Sequence, residues 1–284
     1  MKNVKLGHST PTVCLDAGHF GKYNPSPVVD GYYEAEMVWE LHLKLKSELE
    51  KRGIRVVTTR ENQATDRSLT SRGKASVEAD LFLSLHSNAA ASQYPNWVVG
   101  MYFVDDDCGK IDEQSREIAE ILSKKVASLM GVGHQTYTRK SSKDRDRNGH
   151  LDDYYGVLRG AHSVGTPGVI LEHGFHTNTE NTRWLMIDEN LDKLASGEAE
   201  TIANWFGIGT KLLDFQIPVL KKGCRGCAVQ GLQALLRGHG YDQLAIDGSF
   251  GGATDRALRD YQAQNNLAVD GSCGRVTWSA LLGL

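Results

Sequence analysis

Four residues in this 284-residue chain are of the types that hold and use a catalytic metal ion. Three of them follow short apolar runs typical of buried strands, and the fourth lies in the first turn of a helical pattern. They are His19, His86, Glu172 and Glu34. A catalytic zinc ion usually takes three protein ligands from His, Asp or Glu and leaves one position for water. Two histidines and one glutamate would supply that set, and the other carboxylate could act as a general base on the water.

Each of these residues also has a simpler explanation when it is taken alone. A histidine beside a glycine turn is commonly a hydrogen-bonded loop residue. Glu34 could be an acid favoured by the helix dipole, and Glu172 could form a salt bridge at a strand end. Their joint placement favours the metal site.

The elements that must position these residues alternate along the first two thirds of the chain. Apolar and β-branched runs predict strands at 12–16, 54–59, 81–85, 98–104 and 168–171. Helical spacing predicts helices at 34–52, 111–129 and 190–206. Strands separated by helices indicate an α/β fold with a mostly parallel sheet covered by helices. In such sheets ligands bind beyond the carboxyl ends of the strands.

The last part of the chain has a different organisation. Residues 207–217 are a plausible linker between a domain at 1–206 and a smaller one at 218–284. The segment from Asp247 to Leu258 is echoed 23 positions later, with seven identical residues in one frame. Each copy has a glycine-rich turn followed by a helical pattern, which predicts a small all-α domain made by duplication.

Composition excludes some classes of function. The formal net charge is −3, so a polyanion such as nucleic acid is not the expected partner. The sequence contains no stretch of 18 apolar residues, so it predicts no membrane span. The first ten residues lack the apolar region of a secretory signal, so we expect synthesis in the cytoplasm. The five cysteines, an odd number, are expected to be mostly free thiols.

Several separate blocks resemble the zinc-dependent N-acetylmuramoyl-L-alanine amidases of the AmiC-like class. The blocks are VCLDAGHFG at 13–21, the segment around Glu34, VVTTR at 56–60, LTSR at 69–72, DLFLSLHSNA at 80–89 and VILEHGFHTN at 169–178. The resemblance implies an α/β fold and hydrolysis of the amide between the lactyl group of muramic acid and L-alanine in peptidoglycan. One zinc ion per chain is implied as the cofactor.

The resemblance also implies roles for individual residues. His19, Glu34 and His86 would bind the zinc ion, and Glu172 would be the catalytic glutamate. Glu36 is an alternative to Glu34 that the helical frame disfavours. Two positions depart from the family pattern: Ala17 replaces a common proline, and His173 replaces a small residue. His173 and His176 could contact substrate, although hydrogen-bonded loop histidines are the simpler interpretation.

The C-terminal region resembles the peptidoglycan-binding domains found at the ends of many wall hydrolases. The matching blocks lie at 219–223, 229–236, 246–254, 261–267 and 269–282. The resemblance implies a three-helix module that binds wall polymer without chemistry. Candidate wall contacts are Asp247, Phe250, Gln262, Asp270 and Trp278, each with a structural alternative in a turn or in the core.

Two further motifs have weaker interpretations. Residues 144–149, with Asp152, resemble the start of a calcium loop, but Tyr155 stands where a bidentate carboxylate belongs. A solvated loop is the default there. Cys224 and Cys227 could belong to a zinc or redox site, for which only Cys273 and His239 are nearby partners, so ordinary thiols are expected.

Three functions stay open on the sequence. The first is a wall-lytic amidase, either a phage endolysin released at lysis or an autolysin freed from a spore former's mother cell. The second is a zinc peptidase acting on the stem peptide of peptidoglycan. The third is a non-catalytic wall-binding protein, although such a protein has no need of all four candidate site residues.

Overall fold

The chain forms two compact units, residues 1–209 and residues 210–284. The computed structural model describes residues 10–104, 112–145, 149–208, 218–265 and 267–282. Most of the predicted linker at 207–217 lies outside these ranges. No helix in the described part of the chain is long and apolar enough to cross a membrane.

The first unit is built on a six-stranded sheet with the strand order β2-β1-β3-β6-β4-β5. The strands are β1 Thr12–Ala17, β2 Arg55–Thr58, β3 Leu81–Asn88, β4 Trp97–Tyr102, β5 Gly133–Tyr137 and β6 Gly168–Phe175. Strands β2, β1, β3 and β6 are parallel, while β4 pairs antiparallel with β6 and parallel with β5. The predicted mostly parallel sheet is confirmed.

Six helices are described in this unit. They are α1 Glu34–Lys51, α2 Leu69–Lys74, α3 Glu113–Met130, α4 Gly156–His162, α5 Thr179–Leu185 and α6 Asp188–Trp205. The caps of α3 show why it has these bounds. The Asp112 carboxylate accepts from the backbone N–H groups of Gln114 and Ser115, and Gly131 ends the helix with a φ of 71°.

Alternation along the strands divides the core into two layers. Val13 and Leu15 of β1 pack in one cluster with the apolar faces of α1, α3 and α6. Cys14 and Phe82 point to the other face of the sheet and pack with α4. Successive side chains of a strand point to opposite faces of the sheet. In β1, residues with odd numbers therefore face one layer and residues with even numbers face the other.

The second unit contains three helices within the described ranges: α7 Cys227–Gly238, α8 Gly252–Gln264 and α9 Arg275–Leu282. They enclose a separate apolar core that includes Leu232, Phe250, Leu258 and Trp278. The predicted small all-α domain is confirmed.

A single buried glutamine secures the first glycine-rich turn of this unit. The Gln233 Nε2 group donates to Asp247 Oδ1 at 2.8 Å, to the Ser249 carbonyl at 3.1 Å and to Thr254 Oγ1 at 3.1 Å. Its Oε1 atom accepts from the Gly248 N–H at 2.9 Å. The side chain of α7 therefore fastens the turn that leads into α8.

Gln262 repeats this arrangement at the second turn. Its Nε2 group donates to Asp270 Oδ1 at 2.9 Å, to the Ser272 carbonyl at 3.0 Å and to Thr277 Oγ1 at 3.3 Å. The Gly271 N–H donates to Gln262 Oε1 at 3.0 Å. Helix α8 thus takes part in both copies, because it follows the first turn and carries the glutamine that holds the second.

Candidate metal centre

Three of the predicted residues converge at one edge of the sheet. One ligand atom from each of His19, Glu34 and His86 can be chosen so that all lie within 4.8 Å of one another. Glu34 Oε1 is 2.9 Å from His86 Nδ1, and Glu34 Oε2 is 3.3 Å from His19 Nε2. Among the described residues, this is the cluster of such groups able to hold a metal ion. Residues 15 and 52 positions apart in sequence are thereby brought together by β1, α1 and β3.

The turn after β1 holds His19 in an unusual conformation. The Gly18 N–H donates to the Leu85 carbonyl of β3, and His19 itself has a φ of 53°. A Cβ atom on Gly18 would lie 2.4 Å from Cε1 of His86. Only glycine allows this imidazole to lie directly against the backbone, so the Ala-Gly-His sequence brings the two histidines together.

Glu34 is fixed by donors on both carboxylate oxygens. The Ser87 backbone N–H donates to Oε1 at 3.0 Å, and Asn24 Nδ2 donates to Oε2 at 2.7 Å. Burial opposes ionisation, but His19 and His86 hold the pKa of Glu34 below its usual range. Glu36, the alternative ligand, is partly exposed and lies 3.8 Å from Lys22, so the structure brings Glu34 and not Glu36 to the cluster.

Glu172 lies beside the cluster, and one of its carboxyl oxygens has no hydrogen-bond partner. It is opposite His86 in the parallel pairing of β3 and β6. Its side chain is buried, and its Oε2 atom has no hydrogen-bond partner. Burial, reinforced by the negative charge of Glu34, raises the pKa of Glu172 well above its usual value. A buried carboxyl group of this kind is suited to exchanging a proton with a bound molecule.

Asp16 is a third buried carboxylate near the site, and no role was predicted for it from the sequence. Asp16 accepts hydrogen bonds from Arg72 Nε and Nη2 at 2.8 and 2.7 Å, and from Thr59 and Ser84 at 2.6 Å each. Although burial opposes ionisation, Arg72 and these donors lower the pKa of Asp16. The network ties β1 to β3 and α2. Both residues lie in blocks that resemble the amidase family, Asp16 in Asp-Ala-Gly-His and Arg72 in LTSR, and this could have indicated a role for the pair.

The two extra histidines of the last block have different surroundings. His173 points to the opposite face of the sheet, where Nε2 lies 3.0 Å from Oε1 of Glu198, and neither side chain is exposed. His176 is buried near the cluster, with Nδ1 3.0 Å from Ser87 Oγ and 3.9 Å from Glu34 Oε2. Both are hydrogen bonded, as the simpler interpretation expected, but His173 lies in strand β6 and not in a loop.

The candidate wall contacts divide by exposure. Phe250, Gln262 and Trp278 are buried, with exposed fractions of 2%, 1% and 7%. Asp247 and Asp270 are exposed, although each also accepts hydrogen bonds within its turn. Wall contact by the side chain is thus a proposal best supported for the two aspartates.

The two weaker motifs stay predictions. In the calcium-like loop, residues 146–148 lie outside the described ranges. Asp152 Oδ2 accepts from the Arg145 backbone N–H at 2.7 Å, and Asp144 Oδ2 accepts from the Gly149 N–H at 2.9 Å. Cys224 and Cys227 carry free thiols. Cys108 lies outside the described residues.

Comparison with known proteins matches both units. A family model described as N-acetylmuramoyl-L-alanine amidase matches residues 13–204. A model of a peptidoglycan-binding domain matches residues 225–281.

Among curated proteins, the N-acetylmuramoyl-L-alanine amidase LytC of Bacillus subtilis is 28% identical over 197 residues, 69% of this chain and 35% of that protein. The endolysin of Bacillus phage SPP1 is 29% identical over 203 residues, 70% of this chain and 67% of the endolysin. The match thus spans about a third of the first relative and two thirds of the second.

Among solved structures, the catalytic domain of CwlV, an N-acetylmuramoyl-L-alanine amidase from Bacillus (Paenibacillus) polymyxa, superposes with a TM-score of 0.56 at 23% identity. The superposition covers 70% of this chain and 99% of that domain. At this level of identity the likeness shows the fold, and it agrees with the α/β architecture described above.

Proposed function

The chain belongs to the N-acetylmuramoyl-L-alanine amidase family, and from that premise we propose that it hydrolyses the amide between the muramic acid lactyl group and L-alanine in peptidoglycan. One observation carries the proposal. A three-ligand cluster of His19, Glu34 and His86 lies beside Glu172, a buried carboxyl group with an unpaired oxygen. This combination fits amide hydrolysis by water, which needs an acidified nucleophile and a group that moves its proton.

The donor atoms fit a zinc ion, which we propose as the cofactor. Two imidazole nitrogens and one carboxylate oxygen are the ligand types of catalytic zinc. One such atom from each residue can be chosen so that all lie within 4.8 Å of one another, close enough to bind the same ion. When bound, the ion would polarise the scissile carbonyl, acidify water and favour ionised Glu172 through its charge.

Glu172 is proposed to move the proton in this reaction. The carboxylate accepts a proton from the attacking water as the new carbon–oxygen bond forms. It returns the proton to the amine of L-alanine as the carbon–nitrogen bond breaks. The place of Glu172 opposite His86 and the raised pKa of its carboxyl group support this role, because such a group can take up and release a proton beside the cluster.

The second unit is proposed to hold the enzyme on its polymer. Its family match to a peptidoglycan-binding domain supports this role. A weak binder joined to a catalytic unit raises the local concentration of substrate without a new contact at the reacting bond. The proposed place of action is therefore the cell wall. Both an endolysin and an autolysin fit, since the relatives include a phage endolysin and a bacterial amidase.

Product analysis tests the proposal against its alternatives. Purified wall is digested with the full chain, and metal content is measured on the same sample. About one zinc per chain is expected, with release of peptides that begin with L-alanine and loss of both on chelation. A cut within the stem peptide would indicate a zinc peptidase. Wall binding without any cut, with or without metal, would indicate a non-catalytic wall-binding protein.

A further inference from the structure

A buried ion pair joins β6 to α6 at the residue that follows Glu172. His173 and Glu198 are both fully buried, and His173 Nε2 is 3.0 Å from Glu198 Oε1. The other imidazole nitrogen, Nδ1, lies 2.9 Å from the backbone carbonyl oxygen of His86. The pair thus connects α6 to the backbone of a proposed metal ligand.

The pairing of β3 and β6 changes register at this point. His86 is opposite Glu172 and Asn88 is opposite Phe175, so two steps along β3 correspond to three along β6. Gly174 in the extra stretch has a φ of 72°. Such a bulge interrupts the ladder of backbone hydrogen bonds. The imidazole of His173 supplies an N–H donor to the His86 carbonyl where the ladder is interrupted.

Stability alone does not explain this pair. Glu198 lies on the face of α6 that also buries Leu194 and Ile202 in the apolar core, and its Oε2 atom has no hydrogen-bond partner. Replacing a buried ion pair by apolar residues of similar volume is often neutral or stabilising. A pair with one unsatisfied oxygen in such surroundings is therefore a candidate for a role in the adjacent site.

We propose that His173 and Glu198 are positioning residues for the metal centre. The His173 N–H holds the His86 carbonyl, while Glu198 fixes the orientation of the imidazole from α6. Since Glu172 immediately precedes His173, the same anchor sets the spacing between the ligand on β3 and the proton-carrying carboxylate on β6. This inference rests on the proposed function for the use of the site, but metal affinity can be measured without any activity.

A matched pair of double variants isolates the proposed hydrogen bond. His173→Leu/Glu198→Leu removes the ion pair and the donor together. His173→Asn/Glu198→Leu also removes the ion pair but keeps an amide N–H close to the position of Nδ1. His42→Leu is the control, because His42 is a buried histidine on α1 whose Nδ1 atom has no hydrogen-bond partner.

The measurements are zinc affinity by competition with a chelator, the absorption spectrum of the cobalt-loaded protein and thermal unfolding. The leucine double variant, His173→Leu/Glu198→Leu, is expected to unfold near the wild-type temperature. It should bind zinc about tenfold to a hundredfold more weakly and have a changed cobalt spectrum. The asparagine variant should recover most of the affinity, and the His42 control should bind zinc as the wild type does.

If the leucine double variant folds and binds zinc as tightly as the wild type, the inference is overturned and the proposed function is unaffected. If the leucine double variant does not fold, a comparison of Glu198→Gln with Glu198→Leu decides the matter. The amide of Glu198→Gln can still hold His173 Nε2, so zinc affinity within about threefold of wild type is expected, whereas Glu198→Leu removes the orienting group and should bind zinc about tenfold more weakly. Equal zinc affinity of the two variants would overturn the inference. Absence of zinc from the wild type would instead count against the proposed function.

Discussion

Particular buried polar side chains of the two units differ in how completely they are hydrogen bonded. In the second unit, the amide groups of Gln233 and Gln262 use both nitrogen and oxygen in hydrogen bonds to a turn. In the first unit, Glu172 and Glu198 each keep one buried oxygen without a partner. Most buried polar groups in proteins are paired, so each exception needs an explanation.

The difference separates architecture from chemistry. A glutamine that stabilises a turn does so best when all of its donors and acceptors form hydrogen bonds. A carboxyl group that must exchange a proton with a bound molecule needs an atom that the protein leaves unpaired. Glu172 and Glu198 therefore differ both from the two glutamines of the second unit and from Asp16, whose two carboxylate oxygens are paired.

The largest predicted effect follows from removing the unpaired oxygen of Glu172. Glu172→Gln preserves size but cannot take up the proton, so turnover of wall should fall about 10²–10⁴-fold. Bound zinc should be unchanged, because Glu172 is not among the proposed ligands. Muropeptide release and metal content measured on one preparation check both statements. A variant with near-normal turnover would show that another group carries the proton.

The next effect follows from the contact between the turn after β1 and His86. In Gly18→Ala the new Cβ atom would lie 2.4 Å from the imidazole, which must therefore shift. A displacement of about 1 Å at a reacting site can cost about 100-fold in rate, and zinc affinity should fall as well. Gly133→Ala on β5 is the control, since its Cβ atom would meet only Trp97, at 3.8 Å. Equal behaviour of the two variants would contradict the close-approach explanation.

A smaller effect tests the fully paired glutamines. Gln233→Ala and Gln262→Ala each leave a buried glycine N–H without its acceptor, at a cost of about 1–3 kcal/mol in the free energy of unfolding of the second unit. Similar losses are expected for both because the two arrangements match. Denaturant unfolding measures them, while cleavage of a soluble muropeptide should be unaffected. A large loss of that cleavage would contradict the separation of roles between the units.

The smallest effect concerns the exposed aspartates of the turns. Asp247→Asn and Asp270→Asn keep the oxygen that accepts from Ser249 and Ser272, so the turns should hold. If the carboxylate charge contacts wall polymer, binding in a sedimentation assay should weaken by about threefold to tenfold per variant. Unchanged binding by both variants would leave these residues a purely structural role.

Much of the metal centre could be predicted because strand ends in a parallel sheet share one edge. His19, His86 and Glu172 each follow or end an apolar run, and the helical frame selected Glu34 over Glu36. The buried contacts of His173 could not be predicted from the sequence, because they depend on the bulge after Glu172 and on the position of α6.

Other elements were not predicted for physical reasons that their sequences make plain. Strand β5 is largely polar and solvent-facing, so it lacks the apolar alternation that marks a half-buried strand. Helices α2 and α4 are six and seven residues long and contain glycine, which shortens and weakens any periodic signal. Those glycines have a packing reason, since a Cβ atom on Gly73 would meet the backbone of α4 at 2.1 Å.

The double use of α8 limits how the second unit could be divided or shortened. A chain cut after this helix would keep Gln262 but lose the turn that its amide holds, and a chain begun at this helix would lose the glutamine of the first turn. The two copies of the repeat therefore depend on each other and are not independent units. We expect fusion proteins and limited proteolysis alike to preserve this unit only when it is whole.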